Sequence, residues 1–200
     1  MIAHRCNAVE HIRPALNKCF NALEIDVRID VQTKGEDALI VDHDKINISP
    51  TKWIDWLRTA EALPQNLIDK WALIMFDIKE AKPFIAITLR DEIRNSKLKN
   101  VLRTFSIGSV ADANAIFKHE FVSSLNELET VDISENQQPS EVVKWMKSRG
   151  FSRGWYADGV NAAGTGRQQS SIDNNLFAAS CLRDSRDYIQ RVYSWPYQNN

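Results

Sequence analysis

Four short segments in the first half of the chain combine histidines with carboxylates. They are His4-Arg5, Glu24-Ile25-Asp26, His43-Asp44 and Phe76-Asp77-Ile78-Lys79. The chain has four histidines in total. Two of them lie in these segments, which says more about function than the composition does. Histidine exchanges a proton near neutral pH, and carboxylates are the ligands that hard cations prefer. The combination is therefore typical of a metal-assisted acid/base site for cleaving a phosphodiester.

The composition indicates an ordinary globular chain. Hydrophobic residues make up 44% of the 200 residues and charged residues 26%, and this length fits one domain or at most two small ones. The net charge of −1 predicts no strong attraction to nucleic acid or to an anionic membrane. No apolar run reaches the ~18 residues of a membrane span, and no signal peptide is visible. Cys6, Cys19 and Cys181 have no zinc or disulfide-framework spacing, although a Cys6–Cys19 bridge stays open.

Short apolar runs alternate with amphipathic stretches along the chain, which predicts strands, helices and a parallel sheet. We predict strands at 2–3, 22–27, 73–78, 102–107, 130–133, 154–157 and 189–195, and a further apolar run covers 38–41. The predicted helices include 50–62, 110–128, 140–149 and 170–180. An open doubly wound sheet and a barrel both fit this pattern, but no glycine-rich dinucleotide loop follows the first strand. Charged residues follow several strand ends, so we predict an α/β fold of the TIM-type (β/α) barrel.

The carboxylates should share one face of the sheet. Side chains alternate along a strand, so Glu24 and Asp26 point the same way, as do Asp77 and Lys79. In a barrel this face points inward, where carboxylates are unfavourable unless they are paired or bound to metal. Three carboxylates without a neighbouring sulfur ligand suit a hard cation, either Mg²⁺ or Ca²⁺.

Two histidines and two cations could carry out the chemistry beside such a metal. His4 and His43 could serve as general acid and general base, or one of them could attack phosphorus as a nucleophile. Lys79 and Arg5 could each bind an oxygen of the phosphate.

Aromatic residues could meet the rest of a substrate. Tyr193 and Trp195 share a face at the end of the last predicted strand, where they could pack on a lipid or a choline-like head group. Trp53 and Trp56 follow His43 and could form either core or an apolar rim. A rim would give peripheral contact with a membrane.

These segments resemble the sphingomyelinase D/phospholipase D branch of the glycerophosphodiester phosphodiesterase-like superfamily, whose members are TIM-barrel, phospholipase-C-like phosphodiesterases. The resemblance covers nearly the whole chain. The matching segments are His4-Arg5-Cys6-Asn7-Ala8-Val9, Asn21-Ala22-Leu23-Glu24-Ile25-Asp26-Val27, Phe76-Asp77-Ile78-Lys79, Asp158-Gly159-Val160, Arg183-Asp184-Ser185 and Arg191-Val192-Tyr193-Ser194-Trp195.

The resemblance implies a role for each of these site residues. His4 would protonate the leaving group or handle the late proton transfer, and His43 would be the base or the nucleophile. Lys79 and Trp195 match positions that contact the substrate. The implied Mg²⁺ ligands are Glu24, Asp26 and Asp77. The resemblance also suggests a secreted protein that acts on a phospholipid or a glycerophosphodiester.

Three differences from that branch bear on the substrate. Arg5 follows His4 as in the hydrolytic glycerophosphodiesterases, residues 44–56 contain no cysteine, and no eighth strand follows Trp195. We therefore expect residues 1–200 to form a single barrel domain without its eighth strand. A truncated product, a partial chain and completion by a partner are the alternatives for the missing strand.

The predicted function is metal-dependent, phospholipase D-type cleavage of the head group of sphingomyelin or lysophospholipids, with a cyclic phosphate as one possible product. Hydrolysis of soluble glycerophosphodiesters is the enzymatic alternative. A degenerate barrel that binds lipid head groups without turnover is the non-enzymatic one.

Overall fold

The structure, a computed structural model, describes residues 1–30, 39–43, 49–134, 137–159, 168–185 and 188–195. Within these ranges the chain forms nine strands and eight helices. The strands are β1 (Ile2–Ala3), β2 (Ala22–Ile29), β3 (Leu39–Val41), β4 (Thr51–Lys52), β5 (Leu73–Ile78), β6 (Leu102–Ile107), β7 (Glu129–Ile133), β8 (Gly154–Gly159) and β9 (Ile189–Trp195). The helices are α1 (Val9–Asn17), α2 (Trp53–Glu61), α3 (Gln65–Ile68), α4 (Pro83–Arg94), α5 (Val110–Ile116), α6 (His119–Ser123), α7 (Pro139–Ser148) and α8 (Gln169–Asp184).

The strands form a mostly parallel sheet that does not close within the described ranges. The hydrogen-bonded order is β4-β3-β2-β5-β6-β7-β8-β9, and β1 also pairs with β2. β2 is parallel to β1 and β5, while β3 is antiparallel to β2 and β4. The predicted α/β fold is therefore confirmed. The TIM-type barrel is not confirmed, because the sheet is open in the part of the chain that the structure describes.

The predicted helix at 110–128 is two shorter helices. α5 ends at Ile116 and α6 begins at His119. Phe117 interrupts the helix with a ψ of 72°, and its buried ring stacks on Phe121 at 5.6 Å between centroids. The apolar pattern continues across this break, so periodicity alone could not locate it.

The three cysteines, Cys6, Cys19 and Cys181, are all free, so the alternative of a Cys6–Cys19 bridge is wrong. None of the helices in the described ranges combines the length and the apolar character that crossing a lipid bilayer requires.

The chain divides into two compact units. The first comprises residues Met1–Phe105 and Asn126–Glu129, and the second comprises Ser106–Leu125 and Thr130–Asn200. The single domain over residues 1–200 stays a prediction.

An aromatic cluster forms much of the first unit's core. Trp53 and Trp56 are stacked with centroids 5.6 Å apart, and Trp71 lies 5.8 Å from Trp56. Phe76 of β5 meets Trp53 edge-on at 5.6 Å and stacks on Phe105 of β6 at 5.5 Å. Trp53 is 2% exposed and Trp56 is fully buried. The interpretation of these two residues as core is therefore correct, and the apolar rim is wrong.

A buried ion triad also stabilises the first unit. Glu129 and Arg103 are fully buried, and Arg103 donates to Glu129 Oε1 from Nη2 at 2.5 Å and from Nε at 3.0 Å. Arg94 binds the same carboxylate through Nε at 2.8 Å and through Nη2. Burial alone would raise the pKa of Glu129, but hydrogen bonds from Arg94, Asn126 and Arg103 lower it below its ordinary value.

The second unit contains the parallel strands β7, β8 and β9 and two buried carboxylates. Asp132 Oδ2 accepts hydrogen bonds from the Ser106 hydroxyl at 2.8 Å and from the Tyr193 hydroxyl at 2.6 Å. Asp158 Oδ2 accepts from Asn175 Nδ2 at 2.9 Å. Both carboxylates are therefore hydrogen-bonded, as buried charges require.

Candidate metal centre with two histidines

Three carboxylates converge where β2 and β5 run side by side in the first unit. The two strands are parallel and in a register that pairs Asp26 with Asp77. Alternation puts Glu24 on the same face of β2 as Asp26. One oxygen from each of these three residues lies within 4.8 Å of the other two. The opposite face of β2 is apolar and fully buried, and it carries Leu23, Ile25 and Val27.

Lys79 offsets only part of the charge of this cluster. The side chains of Glu24 and Asp26 are fully buried, while that of Asp77 is 21% exposed. Lys79 Nζ lies 2.8 Å from Asp26 Oδ1 and also binds Asp77 Oδ2. The cluster therefore has one ammonium group, bound to two of its three carboxylates. A divalent cation would offset the two negative charges that remain when all three carboxylates are ionised.

The electrostatics of the cluster favour an additional positive charge. Burial, followed by the charges of Asp26 and Asp77, raises the pKa of Glu24 to about 8. Burial also raises the pKa of Asp77, against the attraction of Lys79. Burial would lower the pKa of Lys79, but Asp77 and Asp26 raise it above its ordinary value. Without a metal, the cluster therefore retains a proton at neutral pH that a bound cation would displace.

The polar atoms of Glu24 provide a test of whether a cation fits. Glu24 Oε2 accepts a hydrogen bond from the backbone N–H of Arg5 at 2.5 Å. Glu24 Oε1 is buried and has no hydrogen-bond partner among the described residues. An unsatisfied buried carboxylate oxygen is costly, and here it lies beside two further carboxylates. Three oxygen donors in this arrangement fit a hard divalent cation such as Mg²⁺ or Ca²⁺.

His4 lies at the exposed side of the cluster. Its Nε2 atom is 3.5 Å from Glu24 Oε2, and its side chain is 40% exposed. Burial lowers the pKa of His4 below the ordinary value of 6.5 despite the opposing charge of Asp26, and Arg5 lowers it further. His4 is therefore mostly neutral at pH 7, and its protonated fraction increases as the pH falls.

His43 is bound to Arg5 through its ring. Arg5 Nη2 lies 2.8 Å from His43 Nε2. A guanidinium group has only donors, so Nε2 must accept, and the proton of a neutral ring is then assigned to Nδ1. Arg28 donates to the backbone carbonyl of His43 from Nε at 2.9 Å and from Nη2 at 2.6 Å. Arg28 also forms an ion pair with Glu80 at 3.5 Å. Glu80 therefore helps to orient the guanidinium that binds the His43 backbone.

Asn7 fixes Asp26 from the loop before α1. Its Nδ2 donates to Asp26 Oδ2 at 2.7 Å, and its Oδ1 accepts from the backbone N–H of Asp26 at 2.9 Å. A carboxylate held in this way is oriented before any metal arrives. No role in the site was predicted from the sequence for Asn7, Arg28 or Glu80. Alternation could have found Arg28, which lies two residues beyond Asp26 on the same face of β2.

The two predicted aromatic contacts belong to the second unit, whereas the acidic cluster and both histidines belong to the first. The Tyr193 hydroxyl binds Asp132, and the Tyr193 ring meets Trp155 edge-on at 6.2 Å between centroids. Trp195 is the last residue of β9, where its backbone pairs with Gly159. The side chain of Trp195 and the whole of Asp44 lie outside the described residues.

No protein-family model matches the chain, and the comparison with curated proteins finds no significant match. Membership of a family is therefore not shown. The similarity to the sphingomyelinase D/phospholipase D branch stays a prediction.

Proposed function

We propose that the protein is a metal-dependent phosphodiesterase that cleaves the head group of sphingomyelin or of a lysophospholipid, on a TIM-type barrel. The observation that supports this is the buried carboxylate cluster with an unsatisfied oxygen on Glu24, flanked by His4 and by the Arg5–His43 pair. The substrate class rests on the resemblance of the motifs. The positive charges of Arg5 and Lys79 beside the carboxylates support a phosphate ligand.

The chain's own groups divide into those that hold a cation and those that hold the phosphate. Glu24, Asp26 and Asp77 would bind Mg²⁺, which when bound supplies a positive charge against a phosphate oxygen. Lys79 keeps its charge because two carboxylates face it, and it can offset charge on a second phosphate oxygen. The planar guanidinium of Arg5 can bind a phosphate through two parallel N–H donors.

The two histidines can complete the proton transfers. His43 Nε2 carries no proton in the Arg5-bound arrangement, so it can accept one from the attacking hydroxyl. The hydroxyl oxygen bonds to phosphorus while the bond from phosphorus to the leaving group breaks. The protonated form of His4, which is the minor form at pH 7, then donates to the leaving oxygen. An attacking hydroxyl within the substrate gives a cyclic phosphate, and an attacking water gives a linear one.

Hydrolysis of soluble glycerophosphodiesters is the second candidate. It is favoured by the position of Arg5, which follows His4 directly and places its guanidinium beside His43. A guanidinium at this point can hold a small phosphodiester by its phosphate alone, without contacts to a lipid tail.

Phosphorus NMR separates the two candidates. The protein is incubated with Mg²⁺ and either lysophosphatidylcholine or glycerophosphocholine. A cyclic phosphate from the lipid supports the first proposal, and a linear phosphate from glycerophosphocholine alone supports the second. Turnover of neither substrate contradicts both and favours a head-group binder.

Histidine variants test the acid/base assignment in the same assay. His4→Ala and His43→Ala should each abolish most turnover, since general acid–base catalysis contributes about 10²- to 10⁴-fold. His119→Ala is the matched control, because His119 is exposed at the start of α6. Full activity in either of the first two variants would refute the assignment.

A further inference from the structure

Arg5 connects the acidic cluster to His43 through two different groups. Its backbone N–H donates to Glu24 Oε2 at 2.5 Å, and its guanidinium Nη2 lies 2.8 Å from His43 Nε2. The Arg5 backbone adopts a left-handed conformation with φ of +55°. This conformation is uncommon for residues other than glycine and persists when surrounding contacts enforce it. The main chain of Arg5 therefore binds the Glu24 carboxylate, while its side chain binds the His43 ring.

We propose that Arg5 is a positioning residue for His43, which holds Nε2 unprotonated in the substrate-free protein and releases it when a phosphodiester binds. The inference deepens the proposed function and relies on it for the identity of the phosphodiester. The hydrogen-bond geometry on which it rests does not depend on that function.

The contact with Arg5 decides which ring nitrogen of His43 carries the proton. All polar hydrogens of a guanidinium are donors, and it has no acceptor. The contact to Nε2 can therefore form only if Nε2 presents its lone pair. Arg5 thus selects the ring form protonated on Nδ1, and Nε2 is the nitrogen that can act as a base.

A phosphodiester can replace His43 Nε2 as the hydrogen-bond partner of the Arg5 guanidinium. A hydrogen bond from a guanidinium to an anionic phosphate oxygen is charge-assisted and about twice as strong as one between neutral groups. The guanidinium also fits a phosphate with two donors, while His43 Nε2 offers a single acceptor. A phosphodiester is therefore the better partner. Once Arg5 turns to it, Arg5 no longer engages the lone pair of Nε2, which can then accept a proton.

The backbone of His43 is held independently of Arg5. Arg28 binds the His43 carbonyl through two nitrogens, so the residue stays anchored when the guanidinium leaves. The exchange therefore moves the Arg5 guanidinium from His43 Nε2 to the phosphate while Arg28 continues to hold the His43 backbone. It makes the base available only when there is a phosphodiester to act on, which links binding to catalysis.

Three arginine variants separate the donor from the rest of the side chain. Arg5→Lys keeps a cationic donor, and Arg5→Met keeps similar length without any donor. Both keep a β-carbon, so the backbone strain at φ of +55° is the same as in the wild type. Arg13→Met is the matched control, because Arg13 is exposed on α1.

Nitrogen-15 NMR of histidine-labelled protein reads the ring form directly, at fixed pH and saturating Mg²⁺. The His43 signals are assigned with His43→Asn. We expect protonation on Nδ1 in the wild type, Arg13→Met and Arg5→Lys, and a shift toward protonation on Nε2 in Arg5→Met. Calorimetric Mg²⁺ binding and circular dichroism show that each variant is folded. The same ring form in the wild type and in Arg5→Met would overturn the proposal.

Dimethyl phosphate, a phosphodiester without a lipid tail, tests the release. Its addition to the wild type should move the His43 signals toward those of Arg5→Met, with sodium chloride of equal ionic strength as the control. Unchanged His43 signals, or no perturbation of the phosphorus signal by the protein, would overturn the release. If the His43 signals behave as expected but the wild type does not turn over lysophosphatidylcholine, only the proposed function is contradicted.

Discussion

Replacement of Glu24 by glutamine should change how stability depends on pH. Burial and the charges of Asp26 and Asp77 raise the pKa of Glu24 from 4.5 to about 8. Between these values the carboxyl of the unfolded chain is ionised, whereas that of the folded, metal-free protein is protonated. The folded state therefore binds more protons, and the free energy of unfolding falls as the pH rises through this window.

The size of this effect follows from the pKa shift. A group protonated only in the folded state changes the free energy of unfolding by about 1.4 kcal/mol per pH unit. The wild type should lose roughly 3 kcal/mol from this group over two pH units within the window. Such a loss is a large part of the roughly 5–15 kcal/mol that stabilises a typical domain. Glutamine has almost the same shape and does not titrate, so Glu24→Gln should remove this loss.

Urea unfolding at about pH 5, 6, 7 and 8 measures the effect. In the presence of a chelator, the wild type should weaken with pH more steeply than Glu24→Gln. Mg²⁺ should restore the wild type at high pH, since it binds the ionised carboxylate, and should do little for the variant. Glu10→Gln is the control, because Glu10 is exposed on α1. Equal pH slopes for the wild type and Glu24→Gln would refute the electrostatic argument.

Three further predictions concern the first unit. Asn7→Ala removes both hydrogen bonds to Asp26 and should weaken Mg²⁺ binding by about 10- to 100-fold in calorimetry; the exposed Asn95→Ala should leave it unchanged. Arg103→Met leaves a buried carboxylate with one fewer partner and should cost about 3–5 kcal/mol in urea unfolding, and no change would contradict that role. Below pH 8, Mg²⁺ binding should release up to one proton from Glu24, seen as a dependence of the binding enthalpy on buffer ionisation; identical enthalpies in two buffers would argue against it.

The sequence allowed the acidic cluster to be predicted because strand periodicity is a local property. Alternation is enough to put Glu24 and Asp26 on one face, and parallel pairing brings in Asp77 from the next strand. Lys79 follows from the same rule. Strand periodicity could not predict whether the sheet closes, because closure depends on the tilt and stagger of all strands together.

The contacts around the histidines could not be derived from periodicity. The Arg5–His43 pair joins residues 38 positions apart and requires a left-handed backbone at a residue other than glycine. Asn7 lies in a loop, and its pairing with Asp26 depends on how β1 and α1 are connected. Each contact depends on a specific tertiary arrangement of irregular backbone, for which the residue types alone provide no signal.

The stacked indoles of Trp53 and Trp56 give the first unit an optical signature. Their planes are 19° apart and their centroids 5.6 Å apart, a spacing at which the excited states of two indole rings couple. Coupled indoles produce a paired positive and negative band in circular dichroism that neither ring shows alone. Both rings belong to α2, so the band should disappear when this helix unfolds. Unfolding of the unit that holds the acidic cluster can therefore be followed without a label.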